Sequence, residues 1–210
     1  MKSFIDAGVE EYLYAMLPPR PPVLAEMERQ AKERDIPIVG PAVARVLYQY
    51  AKLIGAKTVF EMGSAIGYST IWWALAVGES GCVIYTDGSE KNAREAEGYF
   101  REAGVLDRIE IQVGDAFDHL AKRTDQFDIL FNDVDKQAYP RVFDMAAPRV
   151  RQGGLFITDN VLWSGRVAEQ DPKEESTRAI LKFNQQLKDS KDWFTTVLPL
   201  RDGVAVATRL

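Results

Sequence analysis

From Lys57 to Asn160 the chain repeats one unit, and this repetition limits the fold more than any other feature. Each unit is a short β-rich run that ends in Gly or an acid, followed by a connecting segment. The runs are Thr58-Val59-Phe60-Glu61-Met62, Cys82-Val83-Ile84-Tyr85-Thr86, Ile109-Glu110-Ile111-Gln112-Val113, Phe127-Asp128-Ile129-Leu130-Phe131-Asn132 and Leu155-Phe156-Ile157-Thr158. Residues 68–77 and 90–103 read as helices, and a further helix carries Tyr139 and Phe143. Such alternation predicts an α/β domain: a doubly wound, mainly parallel sheet with helices on both faces.

The end of the chain breaks the pattern. Residues 193–200 and 204–208 read as two strands joined by Arg201-Asp202-Gly203. A link this short forces antiparallel pairing, because a parallel crossover needs about a dozen residues or more. The expected sheet therefore has seven strands and closes on an antiparallel hairpin. Ahead of the first strand, residues 4–16 and 23–34 read as helices separated by Pro18-Pro19-Arg20-Pro21-Pro22, which cannot continue a helix. Asp35 to Pro41 reads as a loop and residues 42–54 as a helix with apolar Val43, Val46, Leu47 and Tyr50. The expected organisation is a helical extension over 1–36 and one main domain over 37–210.

Composition excludes several chemistries. A single histidine, His119, and a single cysteine, Cys82, leave no zinc site built on several such ligands and no internal disulfide. Cys82 reads as a small buried hydrophobe. No nucleophile elbow accompanies His119, which counts against a serine triad. A net charge of -5 gives no electrostatic case for a broad nucleic-acid surface. No apolar run reaches bilayer length, and Asp6, Glu10 and Glu11 interrupt the first helix. The expectation is a cytoplasmic protein with no membrane partner.

Chemistry-bearing residues gather at the strand ends. The first strand leads into Glu61-Met62-Gly63-Ser64-Ala65-Ile66-Gly67-Tyr68-Ser69-Thr70, where two glycines let the backbone turn and approach a ligand. The spacing is not the G-x-G-x-x-G of a dinucleotide site, which disfavours a nicotinamide dehydrogenase. Asp87, after the second strand, stands where an acid can accept from both ribose hydroxyls. Asp115, with Ala116 beside it, follows the third strand, where an adenine edge would lie. Asp133-Val134-Asp135-Lys136 and Asp159-Asn160 follow the fourth and fifth. If those strands are neighbours, two carboxylates and an amide converge, a hard oxygen set suited to Mg²⁺, and also to Mn²⁺ or Ca²⁺. Each feature has a plainer reading. Glycines and Asp-Gly pairs are turn formers, Ser89 and Asp135 are capable helix caps, and most lysines are solvated surface charges.

Taken together, the Glu61-to-Thr70 loop, Asp133-Val134-Asp135-Lys136 and Asp159-Asn160-Val161-Leu162-Trp163-Ser164-Gly165 resemble the cation-dependent O-methyltransferases, the family of the caffeoyl-CoA and catechol O-methyltransferases. The resemblance runs from about Ile38 to the C-terminus. It implies a Rossmann-like class I methyltransferase fold, S-adenosylmethionine as methyl donor, and a small hydroxylated acceptor of the vicinal-diol type. By the same resemblance Asp133, Asp159 and Asn160 are the metal ligands and Lys136 is the general base. Val39 and Gly40 touch the methionine end of the cofactor. Glu61, Gly63, Gly67, Tyr68, Ser69, Asp87, Asp115, Ala116 and Asp133 complete the cofactor site, Trp163 walls the acceptor pocket, and a homodimer is implied. Three departures stand out: Gly88-Ser89 follows Asp87 where a second acid is usual, Asn132 replaces an apolar strand residue, and the N-terminal extension, which helps shape the acceptor pocket in the family, is short. Two other functions fit the same loop. A tRNA hydroxyuridine acceptor stays open, although phosphate contacts need Lys and Arg and the acidic balance counts against it, and a non-catalytic nucleotide-binding module would leave Asp133, Lys136 and Asp159 without a role.

Overall fold

The structure, a computed structural model, describes residues 5–210; Phe4, the first residue of the expected N-terminal helix, lies outside them. Helices α1 (Ala7–Ala15), α2 (Pro22–Arg34) and α3 (Gly40–Leu53) precede the sheet. The sheet region then runs β1 (Thr58–Met62), α4 (Tyr68–Val77), β2 (Cys82–Asp87), α5 (Glu90–Glu102), β3 (Ile109–Val113), α6 (Ala116–Ala121), β4 (Phe127–Asn132), α7 (Tyr139–Ala146), β5 (Val150–Thr158), α8 (Glu175–Asp189), β6 (Trp193–Leu198) and β7 (Val204–Arg209). The strand order is β3-β2-β1-β4-β5-β7-β6. Strands β1 to β5 pair in parallel, and β7 pairs antiparallel with both β5 and β6. This is the doubly wound sheet with a terminal hairpin that the sequence predicts.

Side chains alternate between the two faces of the sheet, as the twofold period of a strand requires. Val59, Ile129, Phe131, Leu155 and Ile157 pack with α2, α3, α4 and α5 residues such as Leu24, Met27, Leu47 and Trp73. Phe60, Met62, Leu130 and Phe156 pack with Phe117, Tyr139, Val142, Ile180 and Phe183 on the opposite face. Helix α2 belongs to the first core, with Val23, Leu24, Met27 and Ala31 buried. Helix α1 buries no residue and leaves Val9, Tyr12 and Leu13 exposed.

Several local readings need correction. Gly40 and Pro41 belong to α3 rather than to the preceding loop, because Pro is favoured at the first helical positions where no N–H donor is required. Strand β5 starts at Val150, not Leu155; Gly153 and Gly154 hide its first half, and the register against β4 shifts there as at a bulge. Cys82 is half-buried at the start of β2 rather than enclosed. Helix α8 was not anticipated, although Thr177, Ile180, Phe183 and Leu187 form a buried stripe at helical spacing. Among the described residues no helix is long and apolar enough to cross a membrane.

Candidate active site

The parallel register sets the site. Met62 of β1 pairs with Asn132 of β4, and Asn132 pairs with Thr158 of β5. The residues that follow these pairs leave the sheet together on its carboxyl edge, where open α/β sheets bind ligands. Asp133 N–H donates to Met62 O at 2.9 Å and Asp159 N–H to Asn132 O at 3.1 Å, so both acids are fixed to the sheet through their own backbones. Gly63 locks the first loop against the fourth strand. Its φ is +82°, and a Cβ there would meet Asp133 O at 2.6 Å. Only glycine lets the glycine loop and the Asp133 turn touch.

Glu61 is fully buried at the base of that loop. One carboxylate oxygen accepts from the Thr70 hydroxyl, while Oε1 has no partner among the described residues. Burial pushes its carboxyl up to about 7, against the opposing pull of the Ser69, Thr70 and Ser64 hydroxyls. Ser69 is buried in the first turn of α4. Gly67, left-handed at φ 83°, stands immediately before that helix. Tyr68 is enclosed, and its hydroxyl donates to Glu28 Oε1 of α2 at 2.7 Å, so the phenol is spent on tying the loop to α2.

Asp87, at the tip of β2, faces the same loop: Oδ2 accepts from Ala65 N–H at 3.0 Å, and Oδ1 from Ser89 N–H at 2.8 Å and Asn92 Nδ2 at 3.1 Å. Ser89 does cap α5 through Asn92 N–H. Asp115 caps α6, accepting from Phe117 N–H at 2.6 Å, with buried Ala116 next to it. Val39 is buried at the start of α3 and Gly40 takes φ 75°.

Asp133 and Asp159 each keep one carboxylate oxygen without a hydrogen-bond partner among the described residues. Asp133 Oδ1 accepts from Lys136 Nζ at 2.8 Å, and Asp159 Oδ1 accepts from Asn160 N–H at 2.9 Å. Asn160 is buried as a residue, its side-chain amide makes no hydrogen bond among the described residues, and its backbone sits at φ 60°. Burial raises both acids. Asp159 reaches about 7, with the Asp133 charge as the second cause, while Lys136 and Arg201 pull Asp133 back down. No group of three or more His, Cys, Asp and Glu side chains gathers among the described residues, so any cation here takes two carboxylates and an amide. Asp135 makes no capping hydrogen bond, and Lys136 is not a free surface charge: its side chain is 13% exposed and Nζ also approaches Val134 O at 3.3 Å.

Four residues that carry no motif in the sequence support this arrangement. Tyr139, fully buried, donates its hydroxyl to Asp159 O at 2.7 Å, and its ring lies 5.1 Å from Lys136 Nζ. Glu28 holds both Tyr68 and Arg20. Asp202 accepts from Ser164 N–H and fastens the β6–β7 turn to the loop after β5. Arg201, in the same turn, donates to Ile38 O at 2.7 Å. Asn132 has a use as well, since Oδ1 accepts from Val134 N–H at 3.4 Å within the Asp133 turn, though Nδ2 has no partner. Trp163 is half-buried in the loop after β5, its indole N–H donated to Glu174 at 3.1 Å.

A doubly wound sheet in this strand order, a glycine loop over a buried acid, and an antiparallel closing hairpin define a class I, S-adenosylmethionine-dependent methyltransferase. The O-methyltransferase family model matches residues 18–210, and the chain belongs to that family. It is 32% identical to a catechol O-methyltransferase of Mycobacterium tuberculosis over 78% of this chain and 76% of that one. It is 29% identical to a catechol O-methyltransferase of Niastella koreensis over 99% of both. Among solved structures it resembles an O-methyltransferase from Bacillus cereus in complex with SAH, with a TM-score of 0.88, 28% identity and 97% of each chain covered. An O-methyltransferase from Streptomyces achromogenes involved in tomaymycin synthesis, in complex with SAM, is as similar: TM-score 0.88, 28% identity and 96% of each chain.

Proposed function

We propose that the chain methylates one hydroxyl of a small vicinal diol of the catechol type, with a divalent cation, Mg²⁺ or a similar hard ion, held by Asp133, Asp159 and Asn160. The observation that carries this reading is the shared exit of β4 and β5: two carboxylate oxygens and one amide, all unpartnered, lie beside the loop that follows β1. Hard, preorganised oxygen donors suit such an ion, and a cation relieves the repulsion between buried Asp159 and half-buried Asp133 beside it. Bound there, the cation supplies positive charge that stabilises a developing oxyanion and fixes its position.

The cofactor reading rests on a different observation. Glu61 Oε1 is a buried carboxylate oxygen without a donor, and an isolated buried polar atom is costly unless a ligand satisfies it. S-adenosylmethionine carries a cationic amine and a sulfonium, and supplies an electrophilic methyl group. In our assignment Gly63, Gly67, Tyr68 and Ser69 line its methionine half through the backbone at the start of α4 and the Ser69 hydroxyl. Val39, Gly40 and the Asp133 backbone close over that end, Asp87 accepts from the ribose, and Asp115 and Ala116 border the adenine.

Lys136 is the general base in this reading. As the neutral amine, its Nζ takes the proton of the attacking hydroxyl and becomes the ammonium, which Asp133 and the Tyr139 ring then hold in place. Orienting acceptor and donor on one rigid sheet edge contributes on the order of 7–11 kcal/mol of barrier reduction. The test is transfer of labelled methyl from S-adenosylmethionine to a panel of vicinal diols, with Mg²⁺ and after chelation. Turnover only with the metal is the expected result; full rate in chelator would overturn the cation assignment.

A further inference from the structure

Arg201 occupies a position that its own side chain makes expensive. The residue sits in the β6–β7 turn at φ 51°, a left-handed conformation that favours glycine and costs a residue with a Cβ free energy. The turn is nevertheless firmly anchored: Val161 N–H donates to Gly203 O at 3.0 Å and Leu162 N–H to Asp202 O at 2.9 Å. Its guanidinium is half-buried against the loop before α3, with Nη1 on Ile38 O. Gly40 makes the room, since a Cβ there would stand 2.6 Å from Nη1. An arginine has five N–H donors, and Ile38 O is the one acceptor it reaches among the described residues. It makes no ion pair among them either, although Asp133, Asp159, Asp202 and Tyr14 all lie within its electrostatic reach.

A strained backbone, a half-buried side chain and solvent-facing donors without a partner among the described residues suit a guanidinium that receives a ligand. Guanidinium groups recognise carboxylates and other planar anions through paired hydrogen bonds. Two ligands offer an anion here, the acceptor and the cofactor's methionine carboxylate, because Arg201 packs on Gly40, which closes over the methionine end in our assignment; sheet order favours the acceptor. Loops after β1, β2 and β3 form the cofactor side, the acid pair follows β4 and β5, and Arg201 enters beyond them beside β7. It therefore stands on the far side of the acid pair from the cofactor's nucleoside.

We propose that Arg201 is the specificity-determining residue of the acceptor pocket and that the preferred acceptor is a vicinal diol carrying a carboxylate. This rests on the catechol-type reading above. The test compares 3,4-dihydroxybenzoate with catechol as acceptors for the wild-type enzyme and Arg201→Gly, a substitution the left-handed backbone accepts. Affinity for S-adenosylhomocysteine is measured in parallel by calorimetry. A charge-assisted pair of hydrogen bonds predicts that the kcat/KM ratio of dihydroxybenzoate to catechol falls by roughly 10- to 100-fold in the variant, chiefly through KM, with cofactor-product affinity within about twofold of wild type. An unchanged ratio, or a loss of S-adenosylhomocysteine affinity that affects both acceptors equally, overturns the assignment of Arg201 while leaving the diol reading intact. If the wild type with Mg²⁺ methylates neither compound, the diol reading itself fails and the Arg201 proposal falls with it.

Discussion

Replacing Gly63 by alanine tests the contact that joins the two halves of the site. The added Cβ would lie 2.6 Å from Asp133 O, 2.9 Å from Asp133 C and 3.1 Å from Val134 N. All three are backbone atoms of a turn that is hydrogen-bonded back to Met62, so none can rotate away. Forcing an L-residue to φ +82° costs about 1–2 kcal/mol, and overpacking of this kind costs about 1–3 kcal/mol. The sum is roughly 2–5 kcal/mol, which in a chain of this size lowers Tm by roughly 4–20 °C. Relief of the clash must move Asp133, and a shift approaching 1 Å at a reacting centre costs about 100-fold in rate. Gly98→Ala is the control: it lies exposed in α5 with nothing within 4 Å of a Cβ, and should raise stability by up to about 1 kcal/mol. Chemical denaturation and methyl-transfer rates on both variants decide the matter. A Gly63→Ala enzyme as stable and as fast as wild type would show that the loop and the turn do not press on each other.

Three further outcomes are expected. Glu61→Gln should flatten part of the pH dependence of stability. The native carboxyl holds its proton up to about 7 and the unfolded one only to 4.5, so the folded state binds more protons in that window and wild-type stability falls as pH rises through it, by an amount on the order of 3 kcal/mol. Denaturant midpoints from pH 5 to 8 for both proteins measure this, and parallel curves would refute it. Lys136→Ala should lower kcat by about 10²- to 10⁴-fold in single-turnover assays while calorimetry still detects the divalent ion; a near-normal rate would remove the lysine as base. Asp159→Ala should weaken Mg²⁺ or Mn²⁺ binding by at least roughly tenfold with S-adenosylhomocysteine affinity largely retained, and undiminished cation affinity would move the metal elsewhere.

Legibility in the sequence followed the range of the interaction. Strands β1, β3 and β4 and helix α4 were readable to their ends, because each is a short apolar or β-rich run closed by local turn chemistry: Gly63, Gly114 and Asp133 after the strands, Gly67 and Gly78 around the helix. Strand β5 was read short because Gly153-Gly154 has the composition of a turn, and only pairing with β4 reveals extended backbone there. Helix α8 was missed because its apolar stripe is spread thinly among polar residues, and its burial against Tyr139 and Phe156 is what makes the stripe meaningful. Of the candidate site, Asp133, Lys136, Asp159 and Asn160 were visible as polar residues at strand ends. Glu28, Tyr139 and Arg201 were not, since each looks like an ordinary helix or turn residue until its distant partner is known.

Residue order by itself determined the alternation of strands and helices, the antiparallel close, and which carboxylates could meet a ligand at the sheet edge. It did so because backbone geometry converts local periodicity and turn chemistry directly into elements. Tertiary structure alone decided that β4 lies beside both β1 and β5, that Gly63 rests on Asp133, and that Arg201 reaches Ile38 across a separation of 163 residues. Those contacts depend on how the faces of the sheet are filled and on which atoms then arrive within a few ångströms, quantities that no stretch of neighbouring residues carries.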